Sequence, residues 1–188
     1  MDATIIDSLY EDNTSVLTHL MEANEISMYS DLDSKLKKVL VMSAASYFEA
    51  EIRSIIEAFV SRASNANAAV IGLVKNKAIE RQFHTYFNWK DRNANVFFSL
   101  FGEAFSKHCR EQLKSDREVT EAIAAFMELG ETRNKLAHLN FGAFPVEKTS
   151  AEIYGLYRRA LPFLVYVRKK LVDESGIPPG GSAVPTSG

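Results

Sequence analysis

Proline and glycine are scarce in this chain, at five and nine of 188 residues, and only Pro145 and Pro162 precede residue 176. Both residues punctuate helices, so their scarcity over long segments of helical period predicts an all-helical bundle. Cysteine is nearly absent as well. Cys109 stands alone and forms no internal disulfide, which fits a reducing compartment. No apolar run approaches the roughly 18 residues of a spanning helix. The start, Met-Asp-Ala-Thr-Ile-Ile-Asp, carries acids where a secretory signal carries Lys or Arg. These absences predict a soluble, cytoplasmic protein with no membrane partner. Charge of one sign is also missing: the net charge is −2 and the pI about 6.1. Any nucleic acid must therefore be held by a local patch and not by a global field. No glycine-rich turn ends in Gly-Lys-Ser/Thr, which excludes a P-loop. The four histidines, His19, His84, His108 and His138, have no i, i+4 partner. His108 and Cys109 are adjacent and point about 100° apart on a helix. Neither a metal nor a cofactor is expected.

What is present is a mix of 46% apolar and 24% charged residues, enough for one domain with a sizeable core. Residues 2–23 carry Ile5, Ile6, Leu9, Val16, Leu17 and Leu20 at helical spacings, with Asp12-Asn13-Thr14-Ser15 as an expected break. Asp31-Leu32-Asp33-Ser34 offers N-caps for a long central helix ending near Arg62. Its stripe is Val41, Ala45, Phe48, Ile52, Ile55 and Phe59, and Glu51 lies at the stripe's edge. Residues 64–67 read as a linker and 68–81 as a short helix. Residues 82–92, with Phe83, Tyr86, Phe87 and Trp89, read as a packed loop.

A further helix is expected over 93–114, with Val96, Phe97, Leu100, Phe101, Ala104 and Phe105 inward. Asp116 caps the next, Arg117 to His138, which stops at Leu139–Pro145 because Asn140 and Gly142 tolerate αL and Pro145 forbids continuation. Thr149 and Glu152 form a capping box for a last helix to about Glu174, bent at Pro162. The expected organisation is an N-terminal helical segment over 1–30, the bundle over 31–175, and a disordered Pro/Gly-rich tail over 176–188.

The helix from Arg117 ends in Gly130-Glu131-Thr132-Arg133-Asn134-Lys135-Leu136-Ala137-His138. Arg133 and His138 lie roughly 140° apart around the axis and about 7.5 Å along it, flanking one face. Asn134, Gly130 and Ala137 lie between them, and Ile123, Phe126 and Met127 begin the same face as core. On spacing alone an ordinary account competes. In it, Arg133 salt-bridges an acid on a neighbouring helix and His138 finishes its own, where the macrodipole favours it.

Arg133-Asn134-Lys135-Leu136-Ala137-His138 resembles the signature of the HEPN family: an arginine, a polar residue, several variable positions, then a histidine. The helix Val39 to Val60, with Tyr47-Phe48-Glu49-Ala50-Glu51-Ile52 at its centre, is similar to the early long helix of the RiboL-PSP-type branch. So is Asn88-Trp89-Lys90 leading to Phe97-Phe98-Ser99-Leu100-Phe101-Gly102. The resemblance covers most of residues 35–170 and implies a single-domain HEPN-like bundle. It also implies a metal-independent endoribonuclease, acting as a homodimer whose two motifs face one cleft and cutting RNA by attack of the 2′-hydroxyl. In that role His138 is the general acid/base and Arg133 the phosphate clamp, while Asn134 and Lys135 contact or orient the substrate. By the same analogy the protein is a toxin or defence effector, neutralised by an antitoxin or regulatory protein partner. The chemistry suits the residues. An imidazole with an unperturbed pKa near 6.5 serves either proton transfer, and a guanidinium holds a phosphate bidentately without titrating. A non-catalytic HEPN-like module that binds RNA, a nucleotide or a protein stays open beside it.

Further basic and aromatic residues have competing readings. Arg158 and Arg159 fit either an RNA track or a surface pair, and Arg168-Lys169-Lys170 a solvated helix end. Phe83, Phe87 and Trp89 are expected to pack in the core and not to stack bases. Glu51 is a candidate to steady Arg133 or His138.

Overall fold

A computed structural model of the chain describes residues 3–139 and 141–174. Those residues form seven α-helices and no strand. They are α1 (Ile5–Glu22), α2 (Ile26–Ala63), α3 (Ala68–Val74), α4 (Asn95–Ser99), α5 (Glu103–Leu113), α6 (Arg117–His138) and α7 (Ser150–Arg168). Turns of π-helix extend α3 over Lys75–Ile79 and α7 over Lys169–Asp173. The expected tail, from residue 176, lies outside the described residues.

The core forms where α2, α6 and α7 meet. Phe48, Phe126, Tyr157 and Phe163 are fully buried there, and the Phe48 and Phe126 rings lie 5.4 Å apart, edge to face. Rings packed this way gain on the order of 1 kcal/mol beyond their buried area. The rows Val41, Phe48, Ile52, Ile55 on α2 and Ile123, Phe126, Met127 on α6 are buried as their spacing predicts. Because Phe48 meets Phe126 while Lys38 reaches Phe141, α2 and α6 run antiparallel. The aromatic loop also packs as expected: Tyr86 and Phe87 are buried, and Phe83 and Trp89 rest against the core.

Three expectations about the elements are corrected. First, α1 is unbroken. The Thr14 hydroxyl donates to the Tyr10 carbonyl at 2.8 Å, so the polar run stays helical on its solvent side. Second, α2 begins at Ile26 and not at the Asp31–Ser34 caps. Asp31 and Asp33 instead pair with Lys35 and Lys37 one turn on, at 2.6 and 2.5 Å. Third, the helix expected over 93–114 is two. Gly102 sits at φ +95, a conformation suited to glycine, and i→i+3 bonds close α4 just before it. The break turns Phe98 and Cys109 inward and leaves Val96, Leu100 and Ala104 exposed.

The first turn of α1 is fastened to α7 by a carboxylate that sequence patterning did not single out. Thr4 and Asp7 form a capping box, and Asp7 is only 4% exposed. It accepts hydrogen bonds from the Thr4 backbone (2.7 Å), the Thr4 hydroxyl (2.9 Å), the Tyr154 hydroxyl (2.7 Å) and Arg158 (3.0 Å). The Thr4 hydroxyl also shares a 2.6 Å hydrogen bond with Tyr157. Burial opposes the charge on Asp7, but these hydrogen bonds outweigh it and lower the pKa to about 2. A carboxylate depressed in this way stabilises the fold above its unfolded pKa of about 3.9, and the contribution is lost as pH falls toward 2. The loss is about 2 kcal/mol. Melting curves between pH 5 and 2 should show wild type losing this increment while Asp7→Asn, lower at pH 5, stays flatter and converges with it near pH 2. Parallel curves would show that Asp7 is not the titrating group.

Candidate active site

Asp116 fixes the register of α6 by accepting from the Val119 N–H at 3.0 Å. From there Ile123, Phe126, Met127, Leu129 and Gly130 are buried in succession, which delivers Arg133 and Asn134 half-buried at the end of the packing face. The helix stops at His138. Leu139 turns to an extended conformation (φ −98, ψ 170), with its N–H still bonded to the Lys135 carbonyl at 2.9 Å.

The polar residues of the last two turns fare differently. Arg133 donates to the Asn134 side-chain oxygen at 3.2 Å, and among the described residues no carboxylate comes within ion-pair distance of it. The ordinary salt-bridge account therefore has no acid to name. The His138 imidazole is exposed, with neither a hydrogen bond nor an ion pair among the described residues. Lys135 pairs with Glu131 at 2.7 Å. It lies about 160° around the axis from Arg133, so the helix does not bring it to the Arg133–His138 face.

Arg133 and Asn134 line a small cavity of about 20 Å³ with Phe48 and Glu49 of α2 and with His84 and Trp89 of the aromatic loop. That space is large enough for about one water molecule. The Trp89 ring crosses α6 at Gly130, where a Cβ would lie 1.9 Å from the indole. The indole N–H donates to the His84 carbonyl at 3.2 Å. The acid at this cavity is Glu49 and not Glu51, the candidate singled out by sequence. Glu51 lies one face round, where its charge adds to burial in raising the Tyr47 pKa. Glu49 itself is paired with Arg53 at 3.6 Å.

With this helix end in view, one comparison decides the family: a family model described as RiboL-PSP-HEPN matches residues 7–173. The chain belongs to the HEPN family. The match includes nearly all of α1, which the likeness read from the sequence did not reach. No curated protein and no solved structure is significantly similar to the chain.

Within this HEPN domain Glu128 braces both loops beside the motif, holding Arg92 at 3.0 Å and Lys148 at 2.8 Å. Burial works against its charge, but the hydrogen bond and charge of Lys148, then Arg92, hold its carboxyl below the usual range. Of the basic residues in and just after α7, Arg159 and Arg168 are exposed and make no ion pair among the described residues, and the other three are engaged locally. Arg158 serves Asp7, and Lys169 and Lys170 both pair with Glu174. No described helix is long and apolar enough to cross a membrane.

Proposed function

We propose that this HEPN domain is a metal-independent endoribonuclease that cuts RNA at a site shared by two copies of the chain. The observation that carries the reading is a pair of groups flanking one face of α6: an arginine with no carboxylate partner and an exposed imidazole with no hydrogen bond, both among the described residues. The 2′-hydroxyl attacks the adjacent phosphorus, the 5′-oxygen leaves, and a 2′,3′-cyclic phosphate and a 5′-hydroxyl result. One proton is removed from the 2′-oxygen and one delivered to the 5′-oxygen, so two proton-transfer groups are needed. His138 is one, and a twofold axis near the end of α6 supplies the partner subunit's His138 as the other. Arg133 clamps the phosphate and offsets charge on the phosphorane, and Asn134, bonded to Arg133, orients its fork. Lys135, held by Glu131, adds peripheral charge or a backbone contact. Exposed Leu139 (53%) and Phe141 (47%) follow His138 in the chain and suit a contact between copies. On this reading the protein is a cytoplasmic toxin or defence effector restrained by a protein partner.

The test is incubation of the purified protein with total RNA in excess chelator, beside a His138→Ala preparation. Cleavage by wild type alone, giving 5′-hydroxyl and 2′,3′-cyclic phosphate ends, is expected. Chelator-sensitive cleavage or 5′-phosphate ends rule the mechanism out. The second reading is a non-cleaving module that holds RNA through a local patch, since the net charge of −2 gives no general attraction to a polyanion. It predicts RNA binding that weakens steeply with salt and leaves the RNA intact.

A further inference from the structure

Beyond the motif, one charged group near it is buried with no counter-ion among the described residues. Lys38, on α2, is 6% exposed, and no carboxylate among the described residues pairs with it. Its neighbours behave as ordinary lysines, Lys35 pairing with Asp31 and Lys37 with Asp33. The Lys38 ammonium instead donates to the carbonyls of Phe141 and Gly142, at 2.8 and 2.9 Å, and stands 5.6 Å from the centre of the Phe141 ring. Burying an ammonium is costly, and carbonyl dipoles compensate it less well than a carboxylate. A fold that only needed packing here would be served by an apolar side chain.

The carbonyls it holds belong to the third and fourth residues after His138. Leu139 and Phe141 turn their side chains outward, so apolar burial does not fix this part of the loop. Lys38 reaches it from the opposite helix of the core. Without that tether the backbone at Phe141 and Gly142 would be held less tightly, and the last turn of α6, where fraying begins, would loosen with it. His138 occupies that turn.

We infer that Lys38 is a positioning residue for the proposed site: it pins the chain leaving α6 and so holds the His138 imidazole where proton transfer requires it. This rests on the ribonuclease reading, and the experiment separates the two. Wild type, Lys38→Met and Lys38→Arg, each as the full chain, are compared in steady-state cleavage of a defined RNA and in amide hydrogen exchange over residues 135–142. Lys38→Met should lower kcat on the order of 100-fold, as a small misplacement of a catalytic group does. Its KM should move less than about threefold, because no substrate contact is lost. Exchange over 135–142 should quicken in Lys38→Met, and Lys38→Arg, which keeps donors for both carbonyls, should recover most of both effects. Should Lys38→Met not fold, Lys38→Gln takes its place. An unchanged kcat overturns the inference, as does a rise in KM with exchange unaltered, which would make Lys38 a direct substrate contact. If wild type cuts no RNA, the ribonuclease reading falls. Exchange then decides separately whether Lys38 holds the segment, and unchanged exchange overturns that too.

Discussion

Arg133→Ala and His138→Ala should each reduce RNA cleavage by about 100- to 10,000-fold, the range for losing a charge-stabilising donor or a general acid/base. Both proteins should melt within a few degrees of wild type. The second expectation gives the first its meaning. Most residues on the core side of α6 cannot be removed without cost, but these two hold little of the fold. The His138 imidazole is exposed and bonded to nothing among the described residues, so its alanine variant loses at most a last-turn dipole interaction of roughly 0.3–1 kcal/mol. Arg133 gives up one 3.2 Å hydrogen bond to its neighbour Asn134 and the packing of its stem. For a domain this size 1 kcal/mol moves the melting point by roughly 2–4 °C. Calorimetry beside a single-turnover cleavage assay therefore separates chemistry from stability. A variant that melts far below wild type would make Arg133 or His138 a structural residue. A stable variant that cuts at the wild-type rate would remove it from the mechanism.

The same contrast explains which features the sequence made legible. Local signals with a local cause were readable: Asp116 and Thr149 cap their helices as their positions predict, and the stripes of α2 and α6 are buried in register except at Ala45 and Phe59, which are half-buried. Errors arose where a residue type serves two purposes. Asp31 and Asp33 look like caps, yet with lysines four residues on they suit a helix interior equally well. The run from Phe97 to Phe105 keeps a helical period through a real break, and Gly102 alone marked it. Thr4 and Asp7 carried a readable capping signature, but the reach of Asp7 to Tyr154 and Arg158 did not show in it. Lys38 was beyond local reading, because the carbonyls it holds, those of Phe141 and Gly142, lie far along the chain; the packing of Trp89 in the core was legible, but its seat on Gly130 was not. A motif can name an arginine and a histidine; it cannot name what keeps them still.

Gly130→Ala should destabilise the protein although alanine is the better helix former. The substitution gains about 1 kcal/mol of helix propensity in a helix interior. Against that, the new methyl would lie 1.9 and 2.1 Å from two carbons of the Trp89 indole. Ordinary contact needs well over 3 Å, so the ring must leave its seat. It has little room to do so: Phe87 lies 4.9 Å from it between ring centres, and Phe83 and Phe126 each 5.7 Å. Overpacking costs typically 1–3 kcal/mol, and losing an indole from its core contacts about 3–5 kcal/mol. The net loss should be about 2–3 kcal/mol, a fall of roughly 4–12 °C in melting temperature. Trp89 is the only tryptophan in the chain, so its fluorescence reports this site alone and should shift to the red as the ring meets water. Trp89→Leu removes the obstruction, so adding Gly130→Ala to it should cost far less than in wild type, a coupling that a double-mutant cycle measures directly. Equal costs in both backgrounds, with unshifted fluorescence in Gly130→Ala, would mean that the indole does not rest on α6. Because the cavity beside that ring is lined by Arg133 and Asn134, displacement of Trp89 should reach the site as well as the core. Gly130→Ala should therefore lose cleavage at temperatures well below its own melting point, which a purely thermal loss of fold does not produce.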